Sequence, residues 1–294
     1  MVRLQVLCFA GTYALALLCE LARVVVCAPV RWYLTVALTA LAWAVQTAYL
    51  ANLVIVSHTV PMTTLFESML VLSWIVAAIG LYLMVHSPRM AVGTFALPIV
   101  LALTALAGTS APRQADWRTT WSGATAFWGM IHGAFLLAGA VSTCVAFVAG
   151  LMYLAQAYRL KHKRPPRFGF TLPSLELSER LNRGAVMLAF PLLTFGLLIG
   201  VILSLELGAH TAGGTAPLRW TDPKVLSALV MWIVFAALVH ARLRPELRGR
   251  AVMLLTIVAF AFLVFTWVGV EVLRLPTRHG GSSARAAATA GRAL

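Results

Sequence analysis

Residues 128–156 read WGMIHGAFLLAGAVSTCVAFVAGLMYLAQ, a run of 29 residues that contains no Asp, Glu, Lys or Arg. The hydrocarbon core of a bilayer is about 30 Å thick, and about 20 predominantly apolar residues in helical conformation are enough to cross it. The run therefore predicts a transmembrane helix, and it leads us to look for further transmembrane helices on either side of it.

The composition of the whole chain agrees with this prediction. Of its 294 residues, 61% are apolar and only 11% are charged, and the mean hydropathy is +0.89. An average soluble domain carries about 25% charged residues, so these side chains cannot cover a water-facing surface. We predict an all-α, polytopic transmembrane bundle, because no polar stretch is long enough to form a separate soluble domain.

Apolar segments bounded by charge, Pro or Gly recur along the chain and predict eight spans. We expect one integral membrane domain over residues 1–275 and a flexible tail over 276–294. The first segment resembles the apolar region of a signal peptide, but no small-x-small cleavage site follows it, so we interpret it as a span. The predicted spans are 4–22, 33–57, 65–86, 90–109, 128–156, 184–206, 223–241 and 251–273.

The basic residues indicate the orientation of these spans. A net charge of +14 would suggest a nucleic-acid partner in a soluble protein, but here the charges lie between apolar segments and are interpreted as topology signals. Eight spans with both termini on the outer, periplasmic side of a bacterial inner membrane place the basic connections in the cytoplasm. Fourteen residues lie in those connections: Arg23, Arg31, Arg89, Arg159, Lys161, Lys163, Arg164, Arg167, Arg180, Arg183, Arg242, Arg244, Arg248 and Arg250.

Histidines on the predicted outer side are candidates for a binding site, because ionisable residues at membrane depth are costly and are often functional. Trp128 and His132 are four residues apart and so share one face of the fifth span. His279 follows the last span closely enough to fold back over the outer surface. Two such imidazoles can ligate one iron from opposite sides, although a helix–helix hydrogen bond for His132 and a simple tail position for His279 stay open.

Two further histidines lie on the predicted inner side. His86 ends the third span and His240 ends the seventh. From Lys224 to His240 is 16 residues, or about 24 Å of helix, so one ligand cannot bridge His132 and His240. If both positions matter there are two sites or a path between them, and the alternative for each inner histidine is a side chain that reaches the membrane interface.

The segment Trp220-Thr221-Asp222-Pro223-Lys224 opens the seventh span. Asp before Pro is a strong start for a helix, which accounts for part of the pattern. Trp220 also offers a flat apolar face to a macrocycle, and Lys224 offers a cation to its carboxylates. Both interpretations stay open, as they do for Glu67, a carboxylate that the dipole favours near the start of the third span.

Several kinds of chemistry find no support in the residues. The chain has no pair of metal ligands at i, i+4, no nucleophile elbow, no P-loop and no Gly-rich nucleotide fingerprint. Its four cysteines form no C-x-x-C, which argues against a thiol–disulfide carrier and against a covalently haem-bearing cytochrome. Hydrolytic and ATP-driven activities are therefore not expected.

The chain resembles the cytochrome c assembly family, which includes CcsA-, HemX- and YpjD-like membrane proteins. The resemblance runs from about residue 60 to 280 and depends on the order and spacing of several short motifs. They are Phe66-Glu67-Ser68 with Ser73-Trp74, Ile131-His132, Phe190-Pro191-Leu192-Leu193-Thr194 with Gly196 and Gly200, Trp220-Thr221-Asp222-Pro223-Lys224, Trp232 with His240-Ala241-Arg242, Arg248-Gly249-Arg250 and Phe265-Thr266 with Gly269-Val270.

The resemblance implies that haem b, bound transiently and without a covalent link, is held at the outer face and offered to apocytochrome c. It implies that His132 and His279 are axial ligands of the haem iron, and that His240 is an intramembrane histidine. His86 would lie near the entry of haem, Trp220, Asp222, Lys224 and Trp128 would line the site, and a CcsB/ResB-type protein would be the partner. Whether the chain is itself a haem lyase component or only an assembly factor stays open.

The chain departs from the family pattern at the tryptophan-rich loop. Gly213–Arg219 supply none of the earlier tryptophans of the usual W-G-x-x-W-x-W-D motif, and His279 lies in Thr277-Arg278-His279-Gly280-Gly281 rather than G-L-H-S-Y. The alternative is therefore a HemX- or YpjD-like regulator or scaffold without catalytic activity, in which the basic segment 159–183 is a docking surface or only a topology determinant.

Overall fold

The computed structural model describes residues 2–22, 29–57, 60–62, 64–88, 90–109, 124–163, 171–210, 223–243 and 249–269. Within these ranges the chain is all-α, with eight α-helices and no β-strand. A turn of π-helix, Phe265–Gly269, continues the last helix. The helices are α1 (Val2–Leu21), α2 (Pro29–Ser57), α3 (Leu65–His86), α4 (Gly93–Thr109), α5 (Ala124–Lys161), α6 (Leu175–His210), α7 (Pro223–Leu243) and α8 (Arg250–Val264).

Each predicted apolar segment corresponds to one helix, and α3 begins and ends at the predicted residues. The largest difference is at α6, which begins nine residues before the predicted span. Its first turns carry Glu176 and other charged residues, so hydropathy marks the membrane boundary there rather than the end of the helix. Ser174 caps this longer helix, since its side chain accepts a hydrogen bond from the backbone N–H of Leu177 at 3.2 Å.

Among the residues that the structure describes, six helices are long and apolar enough to cross a membrane, namely α2, α3, α5, α6, α7 and α8 with its π-helical turn. Two shorter apolar helices cover Gln5–Leu21 and Gly93–Gly108. The chain is thus a multi-pass helical protein by length and composition. The number of spans, the side on which the termini lie and the extent of the membrane domain stay predictions.

The helix α1 is an integral part of the bundle. Phe9 and Tyr13 are fully buried, and α1 packs against α2 and α4. Burying large apolar side chains on one face is how a helix joins a core. These contacts show a packed apolar helix, and its interpretation as a membrane span stays a prediction.

The described helix ends that flank the connections predicted to be basic lie at one end of the bundle. The backbone N–H of Ala91, after α3, donates to the carbonyl of Thr171, before α6, at 3.0 Å. Thr94, at the start of α4, donates to the carboxylate of Glu20, near the end of α1, at 3.4 Å. We call this end, defined by the connections α1–α2, α3–α4, α5–α6 and α7–α8, the basic end, and the other the opposite end.

The helices α5 and α6 form the longest antiparallel pair, and glycines bring them close together. An ideal Cβ on Gly139 would lie 2.7 Å from Leu193 Cδ2, and one on Gly196 would lie 2.6 Å from Leu136 Cδ2. Lipid supplies no hydrophobic driving force between helices, so such close packing of small residues is a main source of association in membranes. The pair fixes the register of the residues discussed next.

Candidate functional site

His132 lies near the start of α5, at the opposite end of the bundle, and its side chain is half-buried against α6. Its Nδ1 is 2.6 Å from the carbonyl oxygen of Gly196. A carbonyl oxygen only accepts hydrogen bonds, so Nδ1 carries the proton and donates it. In the neutral ring the lone pair is then on Nε2, which is the nitrogen able to ligate a metal.

Gly200 makes room for this ring. An ideal Cβ at Gly200 would lie 2.6 Å from His132 Cε1 and 3.0 Å from Nδ1. Distances below about 3 Å are not found for real Cβ atoms, so a side chain at position 200 and the present ring position exclude each other. The imidazole therefore lies directly against the backbone of α6.

Trp128 lies one turn before His132 on α5, as the spacing predicts. Its side chain is 51% exposed, and its ring lies edge-on to that of Phe127 with centroids 5.8 Å apart. Phe127 and Met130 are exposed beside it. The start of α5 thus presents an apolar aromatic rim next to an oriented imidazole, which is an arrangement suited to a flat apolar ligand.

Three other predicted members of this site lie outside the residues that the structure describes, namely Trp220, Asp222 and His279. Their association with His132 therefore stays a prediction. Lys224 lies in the first turn of α7. Among the residues described, no group of three or more His, Cys, Asp or Glu side chains could hold a metal ion.

His86 and His240 lie at the basic end, away from His132, and both side chains are exposed. His86 Nδ1 donates to the carbonyl of Tyr82 at 3.0 Å, and the two rings have centroids 4.0 Å apart. The structure therefore does not bring the inner histidines together with the outer one. The two interpretations of each, as an interface residue or as part of a route, stay open.

Glu67 has a structural role that the sequence analysis recognised only in part. The backbone N–H of Glu67 donates to Thr64 Oγ1 at 3.2 Å, and the Thr64 N–H donates to Glu67 Oε2 at 3.3 Å. The two residues form a capping box that satisfies two free donors at the start of α3. The Thr-x-x-Glu spacing was the signal for it.

Arg242 corrects one detail of the sequence analysis, which placed it in the connection that follows the seventh span. It lies in the last turn of α7 and is only 8% exposed. Its guanidinium donates to the amide oxygen of Asn182 on α6 and lies 3.7 Å from the carboxylate of Glu179. Asn182 in turn donates to the carbonyl of Ala146 on α5 at 2.6 Å. We call these residues the Arg242 cluster.

A second buried polar cluster joins the first three helices and was also missed. The Tyr13 hydroxyl donates to Gln46 Oε1 at 2.8 Å, and Gln46 Nε2 donates to Ser73 Oγ at 2.8 Å and to the carbonyl of Leu70 at 3.1 Å. Gln46 and Ser73 are completely buried. Spacing along a single helix carries no signal for such a cluster, because each member comes from a different helix.

A third contact ties α1 and α2 to α4 at the basic end. Arg31 Nη1 lies 3.5 Å from Glu20 Oε2, and Glu20 Oε1 accepts from Thr94 at 3.4 Å. Glu20 is 3% exposed. A buried carboxylate is stable only when it is paired and hydrogen-bonded, and these two partners provide that environment.

Comparison with known proteins agrees with this architecture. A family model described as Cytochrome C assembly protein matches residues 62–276. Cytochrome c biogenesis protein CcsA of Guillardia theta is 26% identical over 230 residues, covering 72% of this chain and 74% of that protein. The CcsA proteins of Thermosynechococcus vestitus and Rippkaea orientalis are 26% and 28% identical over 249 and 274 residues, covering 72% of this chain and 76% and 77% of theirs.

No solved structure matches the chain significantly. The family model covers well over half of the residues, from just before α3 to beyond the π-helical turn. That region includes His132, Gly196 and Gly200, and also the Arg242 cluster. The chain therefore belongs to the cytochrome c assembly protein family.

Proposed function

We propose that the chain takes part in c-type cytochrome biogenesis by binding haem b transiently and presenting it at the outer membrane face to apocytochrome c. Three features support this proposal: membership of the cytochrome c assembly family, relatives named for cytochrome c biogenesis, and a multi-pass helical bundle. Because the relatives carry the name CcsA, a regulatory role of the HemX kind is the less favoured alternative.

The observation that carries the proposal is the hydrogen bond between His132 Nδ1 and the Gly196 carbonyl. A metal-ligating histidine almost always donates its other ring N–H to a carboxylate, a backbone carbonyl or water, which fixes the tautomer and raises the basicity of the ligating nitrogen. His132 has this arrangement at a position where membrane depth alone would make an imidazole costly. Its Nε2 is therefore a suitable axial ligand for an iron that a porphyrin already holds.

In this proposal His132 and His279 would together hold the haem iron. Trp128 and Trp220 would offer flat apolar faces to the macrocycle, and Lys224 would pair with its carboxylates. Asp222 would begin α7 beneath the ligand. Two neutral histidines are a sound axial pair for haem, and the polarity around them would set its potential.

The covalent chemistry of cytochrome c maturation, in which cysteine thiols add to vinyl groups, is supplied by haem and apocytochrome c when both are present. The part of this chain is to bind and orient haem and to keep water and oxidants from it. We propose that a CcsB/ResB-type partner completes the complex. The exposed inner histidines His86 and His240 are candidates for the side on which haem enters.

The proposal is tested by purifying the protein from haem-replete cells in mild detergent and recording its reduced absorption spectrum. We expect haem in the wild type, and a strong reduction in the His132→Ala and His279→Ala variants. His162→Ala is the matched control, because His162 is exposed at the basic end and is not in the proposed site. Absence of haem from the wild type would overturn the proposal, whereas haem retained in the double variant would overturn only the choice of ligands.

A further inference from the structure

Gly200 is the one described glycine at which an added Cβ would meet an imidazole. Gly196 and Gly200 are four residues apart and so face α5 on successive turns of α6. The side chain that fills the space at Gly196 is that of Leu136, and the one at Gly200 is that of His132. The same α5–α6 interface therefore holds an apolar contact at one glycine and a polar, chemically versatile one at the next.

We infer that Gly200 is a positioning residue for His132. Its bare Cα lets the imidazole approach α6 closely enough for Nδ1 to reach the Gly196 carbonyl at 2.6 Å. The hydrogen bond holds the proton on Nδ1 and keeps the lone pair on Nε2. The consequence for iron ligation rests on the proposed function, whereas the fixed tautomer and ring direction follow from the geometry alone.

The effect of a methyl group at position 200 follows from the distances. A Cβ placed 2.6 Å from Cε1 and 3.0 Å from Nδ1 forces the whole ring to move, because the imidazole is rigid and no part of it can yield alone. The ring cannot both move aside and keep a 2.6 Å hydrogen bond to a carbonyl on the same helix. Removing the hydrogen-bond partner of a ligating residue typically lowers metal affinity about 10- to 100-fold.

The α5–α6 interface offers a matched control for packing. At Gly139 an added Cβ would lie 2.7 Å from Leu193 Cδ2, so Gly139→Ala introduces a steric conflict of the same size between the same helices without touching His132. Gly184 lies on α6 with nothing within 4 Å of its ideal Cβ, so Gly184→Ala controls for the substitution itself. Both variants separate an effect on the ring from an effect on the fold.

The deciding experiment measures the ring and the haem separately. Protein labelled with ¹⁵N-histidine is studied by NMR without haem, with His132 assigned from the signals lost in His132→Gln. Haem binding is then titrated by absorbance. For Gly200→Ala we expect the ¹⁵N chemical shifts of the His132 ring to depart from those of the Nδ1–H tautomer. We also expect haem affinity to fall about 10- to 100-fold. Gly139→Ala and Gly184→Ala should show neither change.

Unchanged His132 signals in Gly200→Ala, or equal changes in Gly139→Ala, would overturn the inference. If the wild type binds no haem but Gly200→Ala still moves the ring signals, the proposed function fails and the positioning role stands. If Gly200→Ala does not fold, the double variant His132→Ala/Gly200→Ala decides the question, because removing the imidazole removes the steric conflict with the new Cβ. The inference requires this double variant to unfold at a temperature no lower than that of His132→Ala alone, because Ala also favours the helix more than Gly does, and a lower temperature would overturn it.

Discussion

Arg242 on α7 donates its guanidinium to the amide oxygen of Asn182 on α6, inside the bundle and 60 residues away in sequence. Asn182 is completely buried and also donates to the Ala146 carbonyl on α5, so one side chain links three helices. Thr256 of α8 lies 3.4 Å from the same amide. Four helices of the family-matching region, α5, α6, α7 and α8, are thus joined at the basic end by one polar centre.

Replacing Asn182 with Leu should destabilise the protein. The substitution leaves Arg242 and the Ala146 carbonyl with fewer partners, and each buried polar group left unsatisfied costs about 1–3 kcal/mol. The midpoint of thermal unfolding in detergent measures the loss. Asn52→Leu is the control, because Asn52 is exposed on α2, and an equal loss in both variants would contradict the prediction.

The same cluster predicts strong coupling between Asn182 and Arg242. Removing Arg242 as well removes the buried charge that Asn182→Leu leaves poorly paired, so the double variant should lose less than the sum of the single losses. A double-mutant cycle on unfolding free energies measures the coupling, which we expect to be about 0.5–3 kcal/mol. Strict additivity would show that the two side chains do not depend on each other.

Glu20 and Arg31 should show a similar dependence at the ends of α1 and α2. Arg31→Met removes one cation from beside the buried carboxylate of Glu20, which is more costly than removing both charges of the pair. We therefore expect Arg31→Met to unfold at a lower temperature than Glu20→Gln/Arg31→Met. Arg180→Met, at an exposed position of α6, provides the reference for loss of one positive charge.

The cluster around Gln46 predicts an order of stability. Tyr13→Phe removes one hydrogen bond, worth about 0.6 kcal/mol on average inside membrane proteins. Gln46→Leu removes three bonds and leaves the Tyr13 and Ser73 hydroxyls with fewer partners, so its loss should be clearly larger. Tyr33→Phe, at an exposed tyrosine, should have no effect, and a reversed order of the first two variants would contradict the cluster.

The predicted orientation in the membrane is open to chemical labelling. In a variant whose four cysteines are replaced by Ala, Lys163→Cys reports on the α5–α6 connection and Val60→Cys on the α2–α3 connection, both at exposed positions. An impermeant maleimide added to intact cells should label Val60→Cys and leave Lys163→Cys unlabelled until the cells are opened. Labelling of Lys163→Cys but not of Val60→Cys in intact cells would show that the orientation is the reverse of the predicted one.

Much of the fold was predictable because membrane helices leave a strong signal in one sequence. The bounds of α3 follow from a long apolar run that begins behind a Thr-x-x-Glu cap. The basic connections were predicted to share a side, and the contacts of Ala91 with Thr171 and of Glu20 with Thr94 place the described residues beside three of them at one end. Helical periodicity was also enough to put Trp128 and His132 one turn apart.

Contacts between helices were not predictable in the same way. Arg242 follows an apolar run, so hydropathy assigns it to a loop, and only the position of Asn182 on another helix explains its burial. The contact between His132 and Gly200 depends on the register of α5 against α6, which periodicity within either helix does not encode. The orientation of the candidate ligand therefore required the structure.

The Tyr13–Gln46–Ser73 cluster has a practical consequence for dissecting the protein. The family match begins at residue 62, yet Ser73 and Thr94 inside it bond to Gln46 of α2 and Glu20 of α1. A fragment that begins just before α3, and so lacks α1 and α2, would expose these polar groups to lipid in place of their partners. The first two helices therefore stabilise the rest of the chain. We expect the fragment 60–294 to fold poorly when it is expressed alone, and to form a stable complex when residues 1–59 are co-expressed with it.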